Sequence, residues 1–508
     1  MITDLVDQHP EALAVDDLER TRTRAELWDR SVRLGRWCRH ELGVPAGGHV
    51  AAVLGNRVEA MEVSLAGVLA GCWVTPVNWH LTPDEAAYVL ADSGAGVVVT
   101  DPEHEALARA AVDRLDGPVP VVVAGPELDA VLDGASDEPF DLDGPAGGSM
   151  IYTSGTTGRP KGVRRTAQAT LGRQLAAYPL AGRALGLDGQ GPHLVTGPLY
   201  HAAPLGFAVM DLHNGAPVVL LPRWDEAHCL EVLAERQVRN THLVPTMFVR
   251  LLRLPEEVRA AFDPGALRLV LHGAAPIAPS VKQAMIEWWG PVLVEYWGAS
   301  EGGVVTLVGS EDWLAHPGTV GRAVPGHEVF AGDEDGTPLP AGQTGRLWCR
   351  NLRAERVFEY HGAPDKTAEA HKAAGTYTIG DVGRVDDDGW VYLSDRVANT
   401  IISGGVNIYP AEIEAVLIEH PAVGDVAVLG VPDDEWGEQV KAVVEPVDGA
   451  VVDDAVVDEL LALCRDRLAG YKVPRSVDVV EALPRHPTGK LYTRLLRDRY
   501  WAGHDRRI

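Results

Sequence analysis

Short apolar runs recur between longer segments of helical period up to about residue 273. "HVAAVLG" (49–55) reads as a buried strand, "VEAMEVSLAGVLAGC" (58–72) as a helix and "GVVVT" (96–100) as the next strand. Further strands are predicted over 118–125, 193–199, 216–222, 241–245 and 267–273, with a helix over 225–237. These runs lack clean apolar–polar alternation. That is the mark of parallel strands covered on both faces, so the fold class is α/β. The longest uncharged stretch, Val63 to Trp79, is broken by Pro76 and Asn78. It reads as a buried helix followed by a loop, because a membrane span needs roughly 20 apolar residues. "SMIYT" (149–153) is a strand, which places the glycine-rich loop after it in a βα connection.

Near Gly321 the pattern changes. Short strands joined by Asp-Gly turns predict a small antiparallel β unit. After Arg396 a fresh β–α pattern begins, with Pro410 opening an acidic helix start. The expected organisation is a large N-terminal domain over 1–396, with parallel-rich sheets and the small β unit. A smaller, mobile α+β domain over 397–508 follows.

Composition narrows the function. A chain of 508 residues is too long for one core. The formal net charge of -27 opposes nucleic acid or anionic membranes as principal partners, while still permitting a locally positive pocket. The five cysteines are scattered without a Cys-x-x-Cys, which points to a reduced cytoplasm rather than a disulfide or zinc framework. The acidic start "MITDLVDQHPE" has no apolar core and does not read as a signal peptide. Only seven lysines occur, so Lys161 and Lys490, each inside a glycine motif, stand out.

"YTSGTTGRPKG" (152–162) carries the first candidate chemistry. Its glycines free backbone amides to face an anion, and hydroxyls and Lys161 add donors. A Walker A loop needs Gly-Lys-Ser/Thr in that order and is excluded here, because Lys161 follows Pro160. A plain surface turn would have the same composition. In "EYWGASEGG" (295–303), Trp297 could stack on a purine and Glu301 could hold a magnesium ion; an ordinary aromatic beside a turn is the blander reading. Asp381 in "YTIGDVG" could accept ribose hydroxyls or close an Asx turn. Lys490 precedes a basic helix, where a helix start disfavours cations, and that conflict favours a functional lysine. His201 could line a pocket, act as a base, or sit satisfied in the core. No Ser-His-Asp order, His-Glu-x-x-His or Gly-x-Gly-x-x-Gly is present.

Taken in order, "YTSGTTGRPKGV", "PLYH", "HGAAPI", "YWGASEGG", "YTIGDVGRVDDDGWVYLSDR", "IISGGVNIYPAEIE" and "PTGK" resemble the adenylate-forming superfamily. The likeness is greatest to its acyl-CoA synthetase branch and covers nearly the whole chain. It implies that Thr153, Ser154, Gly155, Thr156, Thr157, Gly158 and Lys161 hold the β- and γ-phosphates of ATP. Trp297 would stack on adenine, with Gly273, Ala274 and Ala275 along the same wall. Ser300 would contact the α-phosphate, and Glu301 would bind Mg²⁺. Asp381 and Arg396 would hold the ribose. Lys490 would bridge the substrate carboxylate and the α-phosphate. Ser403, Gly404 and Gly405 would line a coenzyme A tunnel. An apolar acyl pocket would draw on His201, Phe207, Met210, Met247 and His272.

The implied function is therefore an AMP-forming acyl-CoA ligase that turns a hydrophobic carboxylic acid into an acyl-adenylate and then a thioester. The resemblance leaves a homodimer open. The sequence departs from it at the hinge. Family members carry Asp or Lys two residues after the linker arginine, often followed by another Asp; here Ala398 and Asn399 stand there. An enzyme specialised for the thioester half-reaction is thus an alternative, and a non-catalytic nucleotide-binding scaffold a third reading.

Overall fold

The structure is a computed structural model that describes residues 1–153, 160–396, 399–403, 406–433, 436–485 and 491–502. It is a two-domain α/β fold with a large N-terminal and a smaller C-terminal domain. Two parallel sheet cores build the large domain. One runs Val121–Val123, Ala95–Thr100, His49–Val53, Trp73–Pro76, Gly148–Thr153. The other runs Leu13–Asp16, Val218–Leu220, His193–Val195, Asn240–Leu243, Leu269–His272, Leu293–Ala299.

The helix Val58–Leu69 lies between these cores. Val58, Met61 and Leu65 pack with Val195, Val218 and Leu220, while Val63 and Ala66 pack with Val50, Val97 and Val99. Its two buried glutamates are paired: Glu59 with Arg20, and Glu62 with Arg22 and Arg30. Burial without those arginines would be prohibitive.

Two expectations need correction. The Val63–Trp79 stretch continues past its helix into a strand, Trp73–Pro76, rather than a loop. Pro76 is tolerated because it ends that strand. The Thr153 loop is not a βα connection either. It joins Gly148–Thr153 to an antiparallel strand, Lys161–Arg165, with Thr153 opposite Lys161 and Ile151 opposite Val163. A strand holding three basic residues in five does not announce itself by hydrophobic pattern.

The antiparallel β unit exists, but as an extension of the second sheet. Gly303–Gly309 and Thr319–Ala323 hand the hydrogen-bond ladder on to Val391–Arg396, Asp381–Val385 and Gly345–Asn351. The C-terminal sheet pairs Val406–Ile408, Ile401–Ser403, Gly437–Pro446 and Val423–Asp433, with Ser476–Val479 alongside. The helices Pro410–Leu417 and Asp454–Arg467 bury Ile413, Leu417, Leu460 and Cys464 against it. Among the described residues no helix is long and apolar enough to cross a membrane.

Lys282, fully buried on the helix Pro279–Trp289, donates to Glu295 Oε2 at 2.5 Å beneath the Trp313 ring. Glu295 opens the segment that carries Trp297 and Glu301. Glu295→Ala should cost about 3–5 kcal/mol, because it leaves the Lys282 ammonium buried and alone. Chemical denaturation checks this, and replacing both partners with apolar residues should recover most of the loss.

Candidate functional site

The candidate residues gather at the carboxyl ends of the parallel strands, the usual ligand side of such sheets. Thr153 and His272 each end a strand, with Gly273 just after the second; Trp297 lies near the end of a third, and Ser300 and Glu301 follow it. His201 follows Thr196 to Tyr200 and is the residue that begins the helix Ala202–Asn214.

The turn after Leu293–Ala299 is held by close backbone approach. A Cβ on Gly298 would lie 2.0 Å from the Gly303 oxygen, and Gly303 itself has φ +71°. Only glycine fits both demands. Ser300 and Glu301 are carried on that turn. Tyr360, on the strand Phe358–Tyr360, donates its hydroxyl to Glu301 Oε1 at 3.0 Å. The Lys161 ammonium lies 5.0 Å from the centre of the same Tyr360 ring. Val163, two residues on, packs in one apolar group with Trp297, Phe358 and Tyr377. The hairpin and the Trp297 strand thus face one cleft.

Electrostatics in that cleft are unbalanced. Partial burial, and then the neighbouring Lys366 ammonium, push Lys161 below the usual lysine range; Glu301 and Glu369 oppose this. Two ammonium groups placed together suit a polyanion better than a single carboxylate. Tyr360 is pushed above the usual phenol range by burial and then by Glu301, so it stays protonated and donates.

Trp297 is buried, and its indole N–H donates to Asp381 Oδ2 at 2.7 Å. Asp381 and Arg396 are opposite residues on paired strands. On the expected adenine wall, a Cβ on Gly273 would meet the Tyr296 oxygen at 2.5 Å. Ala274 has φ +66°, a strained left-handed conformation for a residue with a side chain.

The expected acyl-pocket residues fall into two groups on either face of the strand Leu269–His272. Phe207 and Met210 pack with Leu269, Leu271 and Tyr296. Met247 packs with Val270 and Phe248, and the His272 ring lies 5.2 Å from Phe248. His272 is fully buried with neither ring nitrogen bonded; burial keeps it well below the usual histidine range, hence neutral. His201 rests against Tyr200, with ring centres 4.5 Å apart. Ser403 ends a strand of the C-terminal sheet.

Ser154, Gly155, Thr156, Thr157, Gly158, Ala398, Gly404, Gly405 and Lys490 lie outside the described residues, as does the side chain of Arg396. Sequence reasoning missed Tyr360 and Lys366. The rarity of lysine was the one signal that could have marked Lys366; nothing local marks Tyr360, which is 59 positions from Glu301.

The Glu301 carboxylate keeps Oε2 free of partners among the described residues, and no cluster of three metal-ligating side chains occurs among them. That suits Mg²⁺, which takes one or two carboxylates and completes its shell with phosphate oxygens and water. A cation cleft, an indole and a buried carboxylate thus gather in one α/β domain.

The comparisons place it further. Residues 2–354 match the family described as AMP-binding enzyme, and 412–490 match the AMP-binding enzyme C-terminal domain. Feruloyl-CoA synthase of Amycolatopsis sp is 36% identical over 97% of this chain and 96% of its own. The 2-succinylbenzoate--CoA ligase of Geobacillus kaustophilus is 33% identical over 96% of this chain and 95% of its own. ATP-bound MatB from Rhodopseudomonas palustris superposes with a TM-score of 0.84 at 30% identity, covering 99% of this chain and 98% of that one. The chain therefore belongs to the adenylate-forming AMP-binding enzymes. It is an AMP-forming acyl-CoA ligase that uses ATP and coenzyme A.

Tyr360→Phe removes one hydrogen bond to a charged carboxylate, an interaction of about 1.5–3 kcal/mol. The expected result is at least about a tenfold fall in kcat/KM for ATP. A Mg²⁺ titration of the initial rate should show the variant needing more cation.

Proposed function

We propose that the acid is one with an apolar body, activated in two steps in the cytoplasm. In the first step a carboxylate oxygen attacks the α-phosphorus of ATP, the bond to pyrophosphate breaks, and an acyl-adenylate forms. In the second, a coenzyme A thiolate attacks the acyl carbonyl and AMP leaves. Thiols have pKa near about 8.5, so some thiolate is present at neutral pH without a dedicated base.

The single observation that carries this reading is the convergence of Lys161, Tyr360 and Glu301 beside Trp297 and Asp381. Two anions must meet in the first step, so positive charge has to offset their repulsion. Lys161, helped by Lys366, holds the departing pyrophosphate half. Glu301, oriented by Tyr360, would hold Mg²⁺, which supplies further charge compensation when bound. Trp297 and Asp381 fix adenosine, with Arg396 as a second ribose contact. Lys490 reaches the α-phosphate and the substrate carboxylate, and Ser300 lies beside them. Phe207, Met210 and Tyr296 pack about the acyl body, with His201 at the entrance. The Ser403–Gly405 segment receives the pantetheine arm after the C-terminal domain turns.

The second reading rests on Ala398 and Asn399. Without the family's polar hinge, the thioester half-reaction on a supplied adenylate could dominate.

Incubation with ATP, Mg²⁺, coenzyme A and a panel of acids should give AMP, pyrophosphate and an acyl-CoA in equal amounts. Acid-dependent pyrophosphate exchange separates the two readings; its absence beside brisk thioester formation from synthetic acyl-adenylate favours the second. Lys490→Ala should cut exchange by about 10²–10³-fold, the loss typical of one donor to developing charge. Thioester formation from the synthetic adenylate should fall far less, and equal losses in both assays would remove Lys490 from the first step.

A further inference from the structure

Arg165 closes the strand Lys161–Arg165, where its backbone pairs with Phe358. Its side chain is exposed. Nη1 reaches over the Glu301 turn: a Cβ on Gly303 would sit 2.6 Å from it. The charged groups that arginines normally seek are missing. Among the described residues Arg165 makes no ion pair or side-chain hydrogen bond, and the polar groups acting on it are the hydroxyls of Tyr178 and Tyr377. Tyr377 is fully buried, and among the described residues its hydroxyl has no oxygen or nitrogen partner and meets only the Cys349 thiol. It points at the same turn: a Cβ on Gly302 would meet it at 2.2 Å.

The Arg165 guanidinium, beside Gly303, borders the expected acyl side of the site. Val304, the residue after Gly303, packs on Phe207, Leu269, Leu271 and Tyr296. Lys161 and Arg165 are four residues apart on one strand face, roughly 13 Å at about 3.3 Å per residue. No single phosphate group touches both. An accessible guanidinium without a counter-charge is open to a ligand, and its planar fork matches a carboxylate in bidentate geometry.

We propose that Arg165 is a specificity residue which binds a second carboxylate, at the far end of the acid's apolar body. The substrate class is then a dicarboxylic acid: one carboxylate meets the α-phosphorus, and the other pairs with Arg165 beside Tyr178. This deepens the ligase reading of the same site and rests on it.

The test compares aliphatic and aromatic dicarboxylates of graded length, each against its monomethyl ester, as substrates in the AMP-release assay. The best diacid should exceed its ester in kcat/KM by at least about tenfold, the effect of one charge-assisted hydrogen bond. Arg165→Leu should bring that ratio close to one, and Arg165→Lys, charged but without the fork, should restore part of it. Calorimetric titration of the same diacid and ester, without ATP, reads the subsite apart from turnover. The diacid should bind the wild type at least about tenfold tighter, and Arg165→Leu should abolish the difference. Equal binding of diacid and ester, or a preference that survives Arg165→Leu, overturns the proposal. So does a rise in the KM for ATP without one for the diacid, which would assign Arg165 to the nucleotide. Thioesters from the monoesters but none from the diacids would sink the subsite and leave the ligase reading standing. Absence of AMP with every acid would sink the ligase reading, while the titration still decides the subsite.

Discussion

The hydrogen bond from the Trp297 indole to Asp381 joins the end of a parallel strand to an antiparallel strand 84 positions later. Much of the site depends on that link. The strand Leu293–Ala299 sends each consecutive side chain to a different wall. Glu295 is pinned by Lys282, Tyr296 shares a polar contact of 3.1 Å with His242 Nε2, and Trp297 reaches Asp381. Alternation along a strand turns one backbone into the partition between the Trp297–Asp381 side and the Tyr296–Phe207 side. The Gly298–Gly303 contact then fixes where Glu301 emerges. A site built this way needs no flexible loop to place the Glu301 carboxylate, since packing on both faces of the strand does so.

The same partition explains the placement of cations. Lys161 and Arg165 share a strand, yet they serve opposite ends of the cleft. Val163 between them is buried with Trp297 and Tyr377, so the apolar contact orients both neighbours. Burial at the centre of a short strand and charge at its ends is a poor hydrophobic pattern but a good way to hold two anionic groups of one complex apart.

Legibility in the sequence followed burial. The strand His49–Val53 and the helix Val58–Leu69 were readable because nearly every residue in them is buried and apolar. Trp73–Pro76 was lost because its four residues continue an apolar helix without a polar break and end in proline. The hairpin under the phosphate loop was lost because its second strand is basic, and pairing, not composition, makes it a strand. The motifs that carry the nucleotide chemistry were readable as spaced residue types. What supports them was not. Tyr360, Lys366 and Arg165 act through contacts between segments far apart in the chain, and no local period encodes such contacts. The division of Phe207 and Met210 from Met247 and His272 was likewise invisible, because it depends on which face of Leu269–His272 each neighbouring helix covers.

A chain with net charge -27 must still attract a polyanion. It does so by concentrating a few cations where the fold leaves them uncompensated. Partial burial and then the neighbouring Lys366 lower the tendency of Lys161 to hold a proton, an arrangement that is unfavourable in the free protein. A triphosphate reverses the sign of that interaction, because each ammonium then faces anionic oxygens before it faces the other. Stability given up at the empty cleft becomes affinity once nucleotide enters, and the free energy of binding is coupled to the order of the cleft itself. Some arginines, by contrast, are spent on buried acidic neighbours, as Arg20, Arg22 and Arg30 are on Glu59 and Glu62. The absence of an acidic partner is thus common among the cations, and it is the convergence of Lys161 and Lys366 beside Glu301 that suits a polyanionic ligand.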